Sequence, residues 1–158
     1  LIAVIFIPIQ TSLEEYVFRG YLMQGFGVMF NNKWLPLILT SFSFGFLHFY
    51  NPEIMKLGSI LLVHYVATGL FLGILTLMDD GMELALGFHA GNNLLIALIV
   101  TADWTVFQTT SIFKYIGEPN VINQSLFSLS IIYPILLFYF SRKYNWTNWK
   151  GKLTGKVK

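Results

Sequence analysis

Three short patterns in this chain set acids, imidazoles and an amide in otherwise apolar surroundings. The first is Glu14-Glu15-Tyr16-Val17-Phe18-Arg19, the second Phe44-Gly45-Phe46-Leu47-His48, and the third His89-Ala90-Gly91-Asn92-Asn93. Charged groups on apolar helices are costly, and where they occur they usually face a cavity and carry function.

Each pattern has a chemical reading and a plainer one. Neighbouring helical residues point about 100° apart, because a turn takes 3.6 residues. Glu15 and Arg19 stand four apart with the acid first, the favourable order for an ion pair along a helix. Glu14 then points elsewhere, a partly desolvated carboxylate suited to general-base work. The plainer reading is an interfacial helix end with solvated acids. Phe44 lies one turn before His48 and can pack against its ring, yet an isolated His on an apolar helix is more often a hydrogen-bonded core residue than a catalyst. His89 and Asn93 share a face, and Gly91 between them leaves room for another backbone or a substrate. Two N–H donors on one face suit a developing oxyanion; hydrogen bonding between helices is the alternative.

The elements that must position these groups follow from composition. The 158 residues are 55% hydrophobic and only 11% charged, and mean hydropathy is +0.62. A soluble domain carries about 25% charged residues, so the bilayer is the natural solvent. The expected fold is all-α: a polytopic transmembrane helix bundle with about five spanning helices around a polar intramembrane cavity. At about 20 apolar residues per span, the spans fall at roughly 1–30, 34–50, 57–78, 84–102 and 126–141. Asn31-Asn32-Lys33, Asn51-Pro52 and Asp79-Asp80-Gly81 separate the first four. The stretch from Asp103 to Gln124 is the longest connection, with room for an interfacial segment, and Pro134 should kink the last helix. Gly69/Gly73 and Gly87/Gly91 both read G-x-x-x-G, a spacing that lets helix backbones approach. With no cysteine, disulfides, thiolate nucleophiles and thiolate metal sites are excluded.

One domain over 1–158 is expected. The chain opens on Leu1 inside an apolar run without a signal-peptide pattern, so the expectation is a piece of a longer protein with further N-terminal spans. Residues 142–158 hold six of the ten basic residues. Following an apolar span, they read as a basic cytoplasmic tail rather than a nucleic-acid site. Alternation through five spans puts Lys33 on the same side.

The ordered set E-E-x-x-x-R, F-x-x-x-H and H-x-x-x-N, on three separate apolar helices, resembles the CPBP group of membrane proteins, which includes the Rce1-type CAAX proteases and bacterial relatives. The resemblance covers about residues 10–100. It implies an intramembrane endopeptidase in which Glu14 and His48 activate a water, His89 and Asn93 stabilise the oxyanion, and Glu15 and Arg19 support them. Zinc is not favoured as a cofactor. If a metal is used, Glu14, His48 and His89 are its expected ligands, and His64 reads as a hydrogen-bonded core residue. The expected partners are a peptide or protein substrate at the membrane, lipidated or not, and the bilayer. The expected location is a bacterial plasma membrane. A non-catalytic bacteriocin-immunity or membrane-binding protein is the alternative. So is a proton-coupled carrier, although no repeated broken helices suggest one.

One tension accompanies this reading. His48 lies late in its helix and His89 early in one entering from the other side. A shared site needs either residues 50–58 to dip into the protein or different helix boundaries.

Overall fold

In lipid, an apolar run has one local solution, the helix, which closes its own backbone hydrogen bonds. The computed structural model describes residues 2–117 and 127–157 and is mostly helical. The first run forms one helical rod: α1 (Ile2–Glu15), a π-helical turn (Tyr16–Leu22) and α2 (Met23–Phe30). Then come α3 (Trp34–Leu47), a 3-10 turn (His48–Tyr50), the short α4 (Pro52–Leu57), α5 (Leu61–Asp79) and α6 (Glu83–Ile99). A second π-helical turn (Ser128–Ile132) leads into α7 (Tyr133–Lys143), and α8 (Trp149–Thr154) follows. Asn31 and Asp80 end α2 and α5 in the left-handed region, at φ 50° and 53°, which Asn and Asp tolerate better than other non-glycine residues. Pro134 follows the π-helical turn directly, inside a continuous helical stretch, and an irregular turn of this kind is a usual accompaniment of a proline within a helix.

Helices occupy the places expected of the spans, the last described from residue 127 onward. Among the described residues, α5 alone is long and apolar enough to cross a bilayer; Trp34–Tyr50 and α6 are apolar but shorter. The all-α expectation needs one amendment. Val100–Thr101 pairs in parallel with Phe113–Lys114, because the β-branched Val100 turns extended at the end of α6 (φ −136°). Part of the connection from Asp103 to Gln124, residues 118–124, lies outside the described residues.

Close approach of α3 and α5 forms the centre. A Cβ on Gly69 would stand 3.0 Å from the Cα and carbonyl oxygen of Ser41, and one on Gly45 would meet the backbone of Val66 at 3.0 Å. Gly73 faces Leu37 in the same seam. Gly87 and Gly91 share the spacing but have nothing within 4 Å, so this second G-x-x-x-G packs against no helix among the described residues. Phe44, Phe71, Leu72, Leu75, Met78 and Ala85 make up much of the buried core.

Two segments outside the long helices also contact the rest of the protein. Residues 50–58 lie mostly at the surface, with Tyr50 87% and Met55 89% exposed; only Glu53 is buried, and it accepts the Val106 N–H at 2.8 Å. Residues 142–157 pack back on the bundle. The Lys152 ammonium bonds the Met78 carbonyl at 3.0 Å and pairs with Asp80, as cations do at helix C-termini. The Lys33 N–H reaches the Gly155 carbonyl at 3.0 Å, and the Trp146 indole reaches Asp79 at 3.3 Å.

Candidate active site

Phe44 is 1% exposed and stands where the three patterns meet. Its ring lies 4.7 Å from the His48 ring, 5.8 Å from the His89 ring and 5.5 Å from the Phe18 ring. The Arg19 guanidinium sits 4.8 Å from its centroid. One phenyl ring on α3 therefore touches the first pattern, its own, and the third.

The first pattern is divided by burial. Glu15 is fully buried, and its Oε1 accepts from Arg19 Nη1 at 3.0 Å and from His89 Nδ1 at 2.7 Å. Arg19 also donates from Nη2 to the Gly69 carbonyl at 2.8 Å, a bond that the bare backbone of Gly69 leaves accessible. The π-helical turn starting at Tyr16 helps both Phe18 and Arg19, adjacent in sequence, to be buried; such turns recur at functional sites. Glu14 is less enclosed. Its Oε1 accepts from Gln10 Nε2 at 3.1 Å, and its Oε2 stands 3.8 Å from His89 Nε2. His89 thus has a carboxylate at each ring nitrogen. Spacing along the sequence does not predict the link from Glu15 to His89.

His48 begins the 3-10 turn after α3, with Nδ1 2.8 Å from the Phe44 carbonyl. A carbonyl only accepts, so Nδ1 carries the proton and the neutral ring keeps its lone pair on Nε2. The ring stacks on Tyr65 at 4.3 Å and 22°, and the Tyr65 hydroxyl accepts from Asn51 Nδ2 at 3.3 Å. Sequence reasoning missed Tyr65, although it stands four residues before Gly69 and so shares the face of α5 turned to α3. Asn93 is half-buried one turn after His89. Its Oδ1 accepts from Asn92 Nδ2 at 3.3 Å, which leaves its own amide N–H groups to donate.

No direct hydrogen bond joins Glu14 to His48, or His89 to Asn93, among the described residues. The His64 ring lies 6.1 Å from that of Tyr65 and 6.3 Å from that of Tyr133, and its buried Nδ1 lacks the expected hydrogen bond. Among the described residues, no three His, Cys, Asp or Glu side chains gather as a metal site. Glu14, His48 and His89 are thus not drawn together as a ligand set among the described residues.

The family model of type II CAAX prenyl endopeptidase Rce1-like proteins matches residues 1–95, a stretch that contains all three patterns. The chain belongs to this Rce1-like family. It is also 32% identical over 130 residues to "Uncharacterized protein YyaK" of Bacillus subtilis (strain 168), which covers 82% of this chain and 43% of that protein. The chain thus spans less than half the length of that relative. No solved structure matches it. The Rce1-like family is membrane-associated and is one of CAAX-type endopeptidases, in keeping with apolar helices that enclose a polar cluster.

Proposed function

We propose that this Rce1-like chain is a membrane-embedded endopeptidase core that hydrolyses a peptide bond by direct attack of water. Glu14 takes a proton from a water that His48 Nε2 orients, and the water oxygen bonds to the scissile carbonyl carbon. The resulting oxyanion accepts N–H bonds from the amide of Asn93 and from Nε2 of an imidazolium His89. Glu14 then hands the proton to the departing amine as the C–N bond breaks, so no acyl-enzyme forms. Glu15 and Arg19 hold His89 in place. The observation that carries this reading is the convergence of all three patterns on Phe44, with His89 set between two carboxylates. Preorganised donors of this kind are the usual source of oxyanion stabilisation.

The same proposal takes residues 1–158 as one domain of about five spans, in a bacterial plasma membrane, with the basic end cytoplasmic. The bond between the Lys33 and Gly155 backbones supports that orientation, since it holds both basic segments at one end of the bundle. The substrate is a peptide or protein segment at the membrane, lipidated or not. The reaction is read as metal-free because Glu14, His48 and His89 are not drawn together as a ligand set among the described residues; the Nδ1 bonds of the two imidazoles are neutral on the point, since a metal-ligating His makes the same bond from its other nitrogen.

The test compares membranes from cells with wild-type protein, Glu14→Gln and Glu14→Ala. Protein C-termini present with wild type and absent with both variants are the expected result. Unchanged C-termini, with any cellular phenotype surviving both substitutions, would refute hydrolysis and favour a binding or immunity role. Activity that a chelator abolishes and added zinc restores would overturn the metal-free part alone.

A further inference from the structure

At the end of the bundle where α2 turns into α3, lysines from two distant stretches line one cavity of about 330 Å³. Lys33 comes from that turn, and Lys152 and Lys156 from the C-terminal stretch; Asp80 and Asn148 complete the polar wall. Lys152 is already committed to the Met78 carbonyl and the Asp80 carboxylate. Lys33 and Lys156 have no carboxylate partner among the described residues. With Asp80 paired to Lys152, two positive charges remain facing one hollow. Like charges held close repel unless an anion lies between them.

The surroundings indicate which anion. The cavity lies at the C-terminal end of α5, the helix long enough to cross a bilayer. Trp34, half exposed, follows Lys33, while Trp146 and Trp149 pack 5.9 Å apart inside the protein. An exposed tryptophan at a span end marks the headgroup level. The same two segments also line a second hollow of about 440 Å³ through Asn32, Trp34, Leu35 and Thr154, and it is mostly apolar. A cationic hollow next to an apolar one fits an amphiphile better than a free ion. We propose that the cavity binds the phosphate of an anionic phospholipid headgroup between Lys33 and Lys156, with the acyl stem against Trp34 and Leu35. Lys152 fixes the wall between them by tying α8 to α5. Basic pockets at the ends of spanning helices recognise headgroups by this chemistry.

Native mass spectrometry of the protein in a neutral detergent, with phosphatidylglycerol and phosphatidylcholine of matched chains, tests the site. The expected result is several-fold preferential retention of phosphatidylglycerol. Lys33→Gln with Lys156→Gln should remove the preference, and Lys33→Arg with Lys156→Arg should keep it. Equal retention of both lipids by wild type, or an undiminished preference in the glutamine variant, would overturn the proposal. Displacement of the lipid by inorganic phosphate at equal concentration would also overturn it, because the site would then belong to a soluble anion. Should the glutamine variant fold poorly, raised salt on the wild-type protein gives the same test: the preference must fall as the charges are screened, and a preference indifferent to salt overturns the site.

Discussion

Replacing Arg19 by methionine removes one half of an ion pair in which both side chains are fully buried. The loss can be estimated from what stays behind. Glu15 Oε1 loses its bond from Nη1, and the Gly69 carbonyl loses its bond from Nη2. Glu15 Oε2 is already buried without a partner, so the carboxylate would keep only the His89 contact. Removing one member of a buried pair costs about 3–5 kcal/mol, because the remaining charge is uncompensated. Each kcal/mol lowers the melting temperature of a protein this size by about 2–4 °C, so Arg19→Met should lower it on the order of 10 °C.

The control is the neutral pair. Glu15→Gln combined with Arg19→Met removes both charges and leaves an amide oxygen to accept from His89 Nδ1. Replacing a whole buried pair by neutral groups is often close to harmless, so the double variant should regain at least half of the lost melting temperature. Arg19→Lys should fall between the two, since one ammonium lacks the planar fork that serves Glu15 and Gly69 together. The assay is thermal unfolding in detergent micelles, followed by circular dichroism and tryptophan fluorescence. A melting temperature for Arg19→Met within about 2 °C of wild type, under 1 kcal/mol on this scale, would refute the reasoning. So would a double variant no more stable than the single one.

Glu14→Gln should abolish cleavage at a stability cost of about 1 kcal/mol or less, because the amide keeps the Gln10 contact and only the 3.8 Å approach to His89 loses its charge. Gly69→Ala should cost about 1–3 kcal/mol by forcing α5 off Ser41. The same change at Gly87, with open space around it, should be neutral or stabilise by up to about 1 kcal/mol; parallel melting curves separate the two. Tyr65→Leu should slow turnover about fivefold, the equivalent of the roughly 1 kcal/mol lost with the ring stack on His48. Tyr65→Phe should keep near-wild-type turnover; if both variants cleave a reporter peptide at the wild-type rate, the stack does not position His48.

Much of this arrangement is legible in the chain itself, and the illegible parts share a cause. Unbroken apolar runs ended by Asn31 and Asp80 locate the helices, since each helix is a local solution. The i, i+4 spacing of Glu15 and Arg19 finds their pair for the same reason. What spacing does not supply is the rotation of one helix against another. Gly69 and Gly87 carry identical motifs, yet α3 covers only the first: a bare backbone permits an approach without summoning a partner. The bond from His89 to Glu15 depends on how α6 is turned toward α1, and the π-helical turn at Tyr16 alters the faces that a regular helix would present. Attention to rare imidazoles singles out His64, whereas the site uses the phenol ring beside it. The two-residue strands at Val100 and Phe113 are too short for a period-two pattern to register.

The two adjacent glutamates carry the mechanistic argument furthest. A positioning carboxylate should be buried and saturated with donors, because its work is to hold a geometry. Glu15 fits that description, with a guanidinium and an imidazole on one oxygen. A general base should keep a lone pair within reach of water and a route for the proton it takes up. Glu14 fits that one: its side chain is 22% exposed, it is held by a single amide, and one oxygen faces His89 Nε2 at 3.8 Å. Exchanging the roles would require the buried Glu15 to release its pairing with Arg19 in every catalytic cycle, against the several kcal/mol such a pair is worth. The asymmetry in burial therefore supports Glu14 as the base. It also makes Glu15→Gln the informative partner to Glu14→Gln: the first should weaken catalysis by loosening His89, while the second should stop it.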